Sequence, residues 1–305
     1  QLPIGLFDSG VGGLTVLDAM RRLMPGEDYL FLGDTARVPY GAKSQKTIVR
    51  YSLQAAAKLI GQRIKLLVIA CNTATAAALP ALRETWPDMP IIGVIEPGSR
   101  AACEASPSGD IAVIATESTI RSGAYAEAIL RRRPEAQVRS LACPLFVPLA
   151  EAGRIRRGDV VIETVAREYL TPLKNAGVDT LILGCTHYPL LTDVIGDVMG
   201  PGVELVSAGE ESAFELKRML KARELRADER RRGETEFYVS DRVEDFERTA
   251  SLEACADKLK QASRNYAKRQ LTWFRHMDGV VWLDAGAPEV QQCACRTVQE
   301  FLSKG

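Results

Sequence analysis

The fold is decided by residues 66–73, which read Leu-Leu-Val-Ile-Ala-Cys-Asn-Thr. The continuous apolar run is typical of a strand buried on both faces, and residues 75–86, which follow it, have helical period. Residues 181–187, Leu-Ile-Leu-Gly-Cys-Thr-His, repeat the order of apolar strand, small residue, cysteine and polar residues before a helix. A buried strand followed by a covering helix is the repeating unit of α/β folds.

The rest of the chain continues this alternation of strands and helices. Apolar runs predict further strands at residues 4–7, 29–32, 91–95, 111–115, 203–206 and 237–239. Helical period predicts helices at residues 14–24, 45–64, 118–132, 159–176, 189–199 and 211–221. We therefore predict an α/β fold of two pseudo-symmetric lobes, in which helices flank parallel-rich sheets. The active site is expected in the cleft between the lobes, beyond the carboxyl ends of the strands.

Strand ends and turn signals predict where the lobes begin and end. One boundary is expected at the turn signal Glu96-Pro97-Gly98, and another near residues 206–209. The predicted domains are a first lobe of residues 1–97 plus 207–250, a second lobe of residues 98–206, and an atypical C-terminal extension of residues 251–305. The sequence leaves open whether this extension is an added helix or a poorly ordered end.

Composition excludes several functional classes. The 305 residues carry 39 basic and 39 acidic side chains, a balance that gives no electrostatic reason for non-specific binding to nucleic acid or membranes. No apolar run is long enough to span a membrane and no signal peptide is indicated, so a cytoplasmic protein is expected. With seven cysteines, no CxxC pair and two histidines, neither a disulfide framework nor a metal site is expected, including at Cys293-Ala294-Cys295.

The cysteines of the repeated pattern, Cys71 and Cys185, are the leading candidates for chemistry. Each ends a strand and precedes a helix, where backbone N–H groups and the helix dipole stabilise a thiolate. A single free cysteine is more often a small buried apolar residue. Two cysteines in matching positions, followed by the polar pairs Asn72-Thr73 and Thr186-His187, favour a catalytic role.

Three other loops contain residues that suit a polar site. The glycine-rich stretch Asp8–Gly13 lacks the GxGxxG pattern, since Thr15 occupies the position of the last glycine, so it favours a small anion over a dinucleotide. Asp8 is explained equally well as a cleft carboxylate or as a helix cap. Residues 38–41 predict an ordered loop, and residues 115–119 place hydroxyl groups at a strand end, where helix capping explains them as well.

In their order and spacing, these motifs resemble those of the glutamate racemases, in the cofactor-independent aspartate/glutamate racemase superfamily. The resemblance covers residues 4 to about 250, and the sequence departs from the family after about residue 252. It implies two α/β lobes with the site between them and racemisation of glutamate without cofactor or metal. It also implies a cytoplasmic enzyme that supplies D-glutamate for peptidoglycan synthesis, cell-wall biogenesis and cell shape.

The resemblance implies a two-base mechanism and a set of site residues. Cys71 and Cys185 would act from opposite faces of the α-carbon, Cys71 on D-glutamate and Cys185 on L-glutamate, with Asp8 and His187 assisting them. Substrate-binding roles are implied for Ser9, Pro39, Tyr40, Gly41, Asn72, Thr73, Thr116, Thr119, Glu151 and Thr186. A homodimer is also implied, and some members of the family bind DNA gyrase, for which the balanced charge of this sequence gives no support.

Several alternatives stay open from the sequence. Aspartate racemase or hydantoin racemase is the alternative within the superfamily. A cysteine-nucleophile amidohydrolase could use Cys185 with His187, but it would leave Cys71 without a role. A two-lobed binding protein would hold glutamate without turning it over.

Overall fold

The computed structural model describes residues 2–228 and 230–240, and the strands in this part of the chain form two parallel sheets. The first sheet has the order β4-β3-β1-β2-β9 and the second has the order β6-β5-β7-β8. The strands are β1 (Ile4–Asp8), β2 (Tyr29–Gly33), β3 (Leu66–Ile69), β4 (Ile91–Gly93), β5 (Asp110–Ala115), β6 (Gln137–Ala142), β7 (Thr180–Gly184), β8 (Glu204–Ser207) and β9 (Thr235–Val239). Parallel neighbours require crossover connections, and helices provide most of them.

Helices cover both faces of each sheet. They are α1 (Leu14–Leu23), α2 (Gln45–Ile60), α3 (Asn72–Thr85), α4 (Ile95–Ala105), α5 (Glu117–Ser122), α6 (Ala124–Arg132), α7 (Phe146–Glu151), α8 (Val160–Asn175), α9 (Thr192–Met199) and α10 (Ala208–Ala222). On the first sheet, α1 and α10 bury one face and α2 and α3 bury the other. On the second sheet, α7, α8 and α9 bury one face and α4 and α6 bury the other. This burial explains why most of the strands are continuously apolar.

The structure confirms the predicted fold class and most predicted elements. Strand β6 escaped prediction because it is an edge strand whose residues are half-buried or exposed, so it has no continuous apolar run. The predicted helix at residues 118–132 is two helices, α5 and α6, because Gly123 between them is left-handed, with φ of +69°. Helix α7 was also not predicted.

The chain passes from the first sheet to the second after β4. The turn predicted at Glu96-Pro97-Gly98 is wrong, since these residues lie inside helix α4, in whose first turns proline is tolerated. Helix α4 connects the two sheets. It packs against α6 and β7 of the second sheet's layer and against α10, which covers the first sheet. The division into lobes at residues 97 and 207 stays a prediction.

Other predictions concern residues beyond those described. The extension at residues 251–305, with Cys293 and Cys295, lies outside the described residues. Within the described residues, no helix combines the length and the apolar character needed to cross a bilayer.

Candidate active site

Cys71 lies at the carboxyl end of the first sheet, two residues beyond β3. It is the N-cap of α3, where its sulfur accepts a hydrogen bond from the backbone N–H of Ala74 at 3.4 Å. Its S–H donates to Oγ of Ser9 at 3.3 Å. Burial raises the pKa of Cys71 to about 12, and the nearby charges of Asp8 and Cys185 act in the same direction. Cys71 is therefore a protonated thiol at neutral pH.

Cys185 lies at the carboxyl end of the second sheet, immediately after β7. Its Sγ lies 3.9 Å from Nδ1 of His187, and Nε2 of the same ring lies 3.1 Å from Oε1 of Glu151. Burial opposes a charge on the imidazole, but its hydrogen bonds to Cys185 and Glu151 outweigh that effect and raise the pKa of His187 to about 10. The ring is therefore an imidazolium at neutral pH. Glu151 thus contacts His187, and its expected role in binding substrate stays a prediction.

Asp8 ends β1, beside the Cys71 side of the site, and is fully buried. Burial raises its pKa, while the charge of His187 and hydrogen bonds from backbone N–H groups lower it less strongly. Its Oδ2 accepts from the N–H of Gly10 at 3.0 Å, whereas its buried Oδ1 has no hydrogen-bond partner in the described structure. Asp8 therefore lies within electrostatic range of both Cys71 and His187.

The turn after β1 also touches the Cys185 side. A Cβ atom on Gly12 would lie 2.6 Å from Nδ1 of His187, so the backbone passes directly against this ring. The hydroxyl of Thr15 in α1 donates to the backbone oxygen of Thr186 at 2.9 Å, and Thr186 itself is buried. The glycine-rich stretch and the first turn of α1 therefore hold the loop after β7 in place, a role that the sequence pattern does not indicate.

The loop after β2 reaches across to the second sheet. The hydroxyl of Tyr40 donates to the fully buried Asp34 at 2.6 Å, and Pro39 is exposed. A Cβ atom on Gly41 would lie 2.8 Å from Cβ of Thr116, which follows β5. The predicted ordered loop is thus anchored by Asp34, a residue that was not predicted although it directly follows β2.

Three predicted threonines form a ring of hydroxyl groups between the two sheets. Thr73 lies in the first turn of α3, 2.9 Å from Thr116 and 3.1 Å from Thr119 between hydroxyl oxygens. Thr116 and Thr119 are 3.0 Å apart, and Thr116 also caps α5. Thr116 can therefore cap α5 and also contribute its hydroxyl group to this ring.

Asn72 is buried beside Cys71 and contacts a residue that the sequence analysis did not select. Its Oδ1 accepts a hydrogen bond from the hydroxyl of Tyr125 at 2.6 Å. Tyr125 is the second residue of α6, away from any strand end, so its pattern is that of an ordinary core residue.

The arrangement suits proton transfer. It brings together two thiols and two groups that can exchange protons with them, in a buried setting where such charges interact strongly. Within the described part of the chain, no three His, Cys, Asp or Glu side chains are grouped as metal ligands.

Comparisons with known sequences and structures show which proteins this chain is similar to. A sequence model of the family described as Asp/Glu/Hydantoin racemase matches residues 4–213. A glutamate racemase of Geobacter metallireducens is 53% identical over 238 residues, which cover 78% of this chain and 87% of that protein. The crystal structure of glutamate racemase isoform RacE1 from Bacillus anthracis has a TM-score of 0.79 at 35% identity, covering 93% of this chain and 98% of its own. That of the Francisella tularensis enzyme in complex with D-glutamate has a TM-score of 0.77 at 33% identity, with the same coverage.

A second match concerns the C-terminal part of the chain. A sequence model described as IPP transferase matches residues 221–277, and most of this segment lies outside the described residues. The segment spans less than half of the chain and overlaps the region where the sequence departs from the racemase motifs. It is a local similarity.

Proposed function

The chain belongs to the Asp/Glu/Hydantoin racemase family, and from this premise we propose that Cys71 and Cys185 carry out its reaction. That reaction is the interconversion of L-glutamate and D-glutamate, which supplies D-glutamate for peptidoglycan. The observation that carries the proposal is the matched placement of the two thiols. Each follows a strand at the carboxyl end of its sheet, and each has its own titratable neighbour.

Racemisation moves one proton off the α-carbon and another onto its opposite face. One cysteine, as thiolate, takes the α-proton, and the electron pair of the C–H bond stays on the carbon. The other cysteine, as thiol, then gives its S–H proton to that carbon and becomes the thiolate. The products are the other enantiomer and an enzyme in which the thiol and the thiolate have exchanged places.

The protonation states of Cys71 and His187 in the free enzyme favour L-glutamate as the substrate that reacts first. Cys71 is a thiol because burial raises its pKa to about 12. His187 is protonated at neutral pH, and its Nδ1 lies 3.9 Å from the sulfur of Cys185. Cys185 would therefore take the proton of L-glutamate while Cys71 donates. The reverse direction first needs a proton transfer away from Cys71, for which Asp8 is the nearby carboxylate.

The substrate-binding residues remain part of the proposal. The carboxylates and the ammonium group of glutamate would bind at Ser9, the loop Pro39-Tyr40-Gly41, Asn72, Thr73, Thr116, Thr119 and Thr186. Since the hydroxyl of Tyr40 is engaged by Asp34, the loop would act mainly through its backbone. Glu151 would instead hold His187 in place and keep it charged.

Single substitutions of the two cysteines test the mechanism. We expect Cys71→Ala and Cys185→Ala each to abolish racemisation, measured by polarimetry on either enantiomer, because each removes one of the two proton carriers. Cys103→Ala, at a half-buried cysteine that contacts the backbone of Ile129, is the matched control and should keep full activity. Wild-type turnover in either active-site variant would end the two-base model.

Isotope exchange tests which cysteine acts on which enantiomer. In deuterated water, wild-type enzyme should convert L-glutamate into D-glutamate that carries deuterium at the α-carbon. Cys71→Ala should exchange the α-proton of L-glutamate only, and Cys185→Ala that of D-glutamate only, since each retains one base. The opposite pattern would reverse the assignment, and ammonia release from amides without exchange would instead indicate an amidohydrolase.

The proposal also includes the cellular compartment and the oligomeric state of the enzyme. We place it in the cytoplasm as a homodimer, as the family resemblance implies. Light scattering during size-exclusion chromatography tests the dimer, and a mass of one chain would contradict it.

A further inference from the structure

One buried side chain contacts both cysteine-bearing turns. The hydroxyl of Tyr125 donates to Oδ1 of Asn72, the residue that follows Cys71. The same ring packs against Gly184, the residue before Cys185, so closely that a Cβ atom on this glycine would lie 3.1 Å from Cε2 of Tyr125. Tyr125 thus lies against a neighbour of each cysteine.

We propose that Tyr125 is a positioning residue that fixes the spacing between the turn bearing Cys71 and the turn bearing Cys185. This inference rests on the proposed function, in which the two thiols act on one carbon from opposite sides. The ring of Tyr125 is 2% exposed and packs in the core that α4 and α6 form on the second sheet. A rigid aromatic ring with two torsions, locked by packing, holds the distance between its two contacts.

The hydroxyl of Tyr125 has the properties that this role requires. Burial raises the pKa of Tyr125 far above its ordinary value, and the charge of Cys185 adds to the effect. The phenol therefore stays protonated and remains a donor throughout the working pH range. Because Tyr125 donates, Asn72 must present its oxygen to it, and its amide N–H groups are left for another acceptor, such as a substrate carboxylate.

The consequence for the reaction follows from the geometry of proton transfer. A misplacement of about 1 Å in a catalytic group costs on the order of a hundredfold in rate. Removing the hydroxyl leaves the ring against Gly184 but frees the side chain of Asn72. Only the link to the Cys71 turn is lost, which makes Tyr125→Phe a clean test.

Kinetics of Tyr125→Phe provide the first measurement. We expect kcat/KM to fall about tenfold, which corresponds to about 1.4 kcal/mol. Since the two enantiomers have equal free energies in water, the loss must be the same in both directions. The isotope effect on kcat/KM with α-deuterated glutamate should rise, because proton transfer becomes slower relative to binding. In an Asn72→Ala background, Tyr125→Phe should cause no further loss, since it acts through Asn72.

The matched control is Tyr29→Phe. Tyr29 is also buried and donates its hydroxyl to the backbone oxygens of Met20 and Met24, in the first sheet. This variant loses an equivalent buried hydroxyl, so it should lower thermal stability without changing kcat/KM or the isotope effect. A merely structural role of Tyr125 would make the two variants behave alike.

A measurement that needs no turnover separates this inference from the proposed function. Hydrogen exchange followed by mass spectrometry should show faster exchange of the amides at residues 71–75 in Tyr125→Phe and not in Tyr29→Phe. If the wild type fails to racemise glutamate but this local change appears, the proposed function fails and the positioning contact stands. Unchanged exchange, wild-type kinetics in Tyr125→Phe, or additive losses with Asn72→Ala would each overturn the inference.

Discussion

Replacing Gly12 by alanine is the sharpest steric test of the site. A Cβ atom there would lie 2.6 Å from both Cε1 and Nδ1 of His187 and would also meet Oγ1 of Thr186. Ordinary van der Waals contact begins near 3.4 Å, so the imidazole would have to retreat by about 0.8 Å. The ring cannot move freely, because Glu151 holds its other nitrogen and Thr15 holds the backbone of Thr186.

The expected magnitude follows from this displacement. A shift of about 1 Å in a group that assists proton transfer lowers the rate on the order of a hundredfold. Gly12→Ala should therefore lose about that factor in kcat/KM for racemisation, while overpacking costs about 1–3 kcal/mol of folding free energy. The position does not have positive φ, so the lack of space is the cause of the loss.

Circular dichroism of glutamate solutions measures the rate, and thermal unfolding measures the stability. Gly202→Ala is the control, since a Cβ atom on this glycine meets nothing within 4 Å. It should leave both quantities unchanged. A Gly12→Ala enzyme that folds normally and racemises within threefold of the wild type would refute the claim that this backbone positions the ring.

Two further predictions concern charged groups. Glu151→Gln should move the alkaline limit of the pH profile of kcat/KM downward from about pH 10, because the carboxylate helps to raise the pKa of His187; an unmoved limit would contradict this. Lys65→Met should lower the free energy of unfolding by about 3–5 kcal/mol, since it leaves the buried carboxylate of Glu27 without its cation. Urea denaturation measures this loss, and an unchanged midpoint would show that the ion pair contributes nothing.

Much of the fold could be predicted because each buried parallel strand is an apolar run bounded by polar residues. The strand that escaped, β6, has Gln137 and Arg139 among its residues because an edge strand is covered less completely. The turn expected at Pro97-Gly98 failed for a different reason. Proline fits the first turns of a helix, so the same dipeptide that ends a strand can begin α4.

Site residues could be predicted from the sequence where a polar or reactive side chain lies at the end of a predicted strand. Cys71, Cys185 and Asp8 were predicted in this way, and Asp34 follows a strand end as well, so the same rule could have selected it. Tyr125 could not, since its role depends on a contact between helices that are distant along the chain. Tertiary packing of this kind leaves no local pattern.

The ring of Thr73, Thr116 and Thr119 has a consequence for selectivity. The three hydroxyls already form hydrogen bonds with one another. An anion that binds there replaces these hydrogen bonds with new ones, so the number of hydrogen bonds hardly changes and contributes little to the binding free energy. The anion contributes its negative charge, because a hydrogen bond to a charged acceptor is roughly twice as strong as one between neutral groups. A neutral amide of the same shape would find no comparable advantage there, so we propose that these threonines discriminate between ligands by ionisation state more than by size.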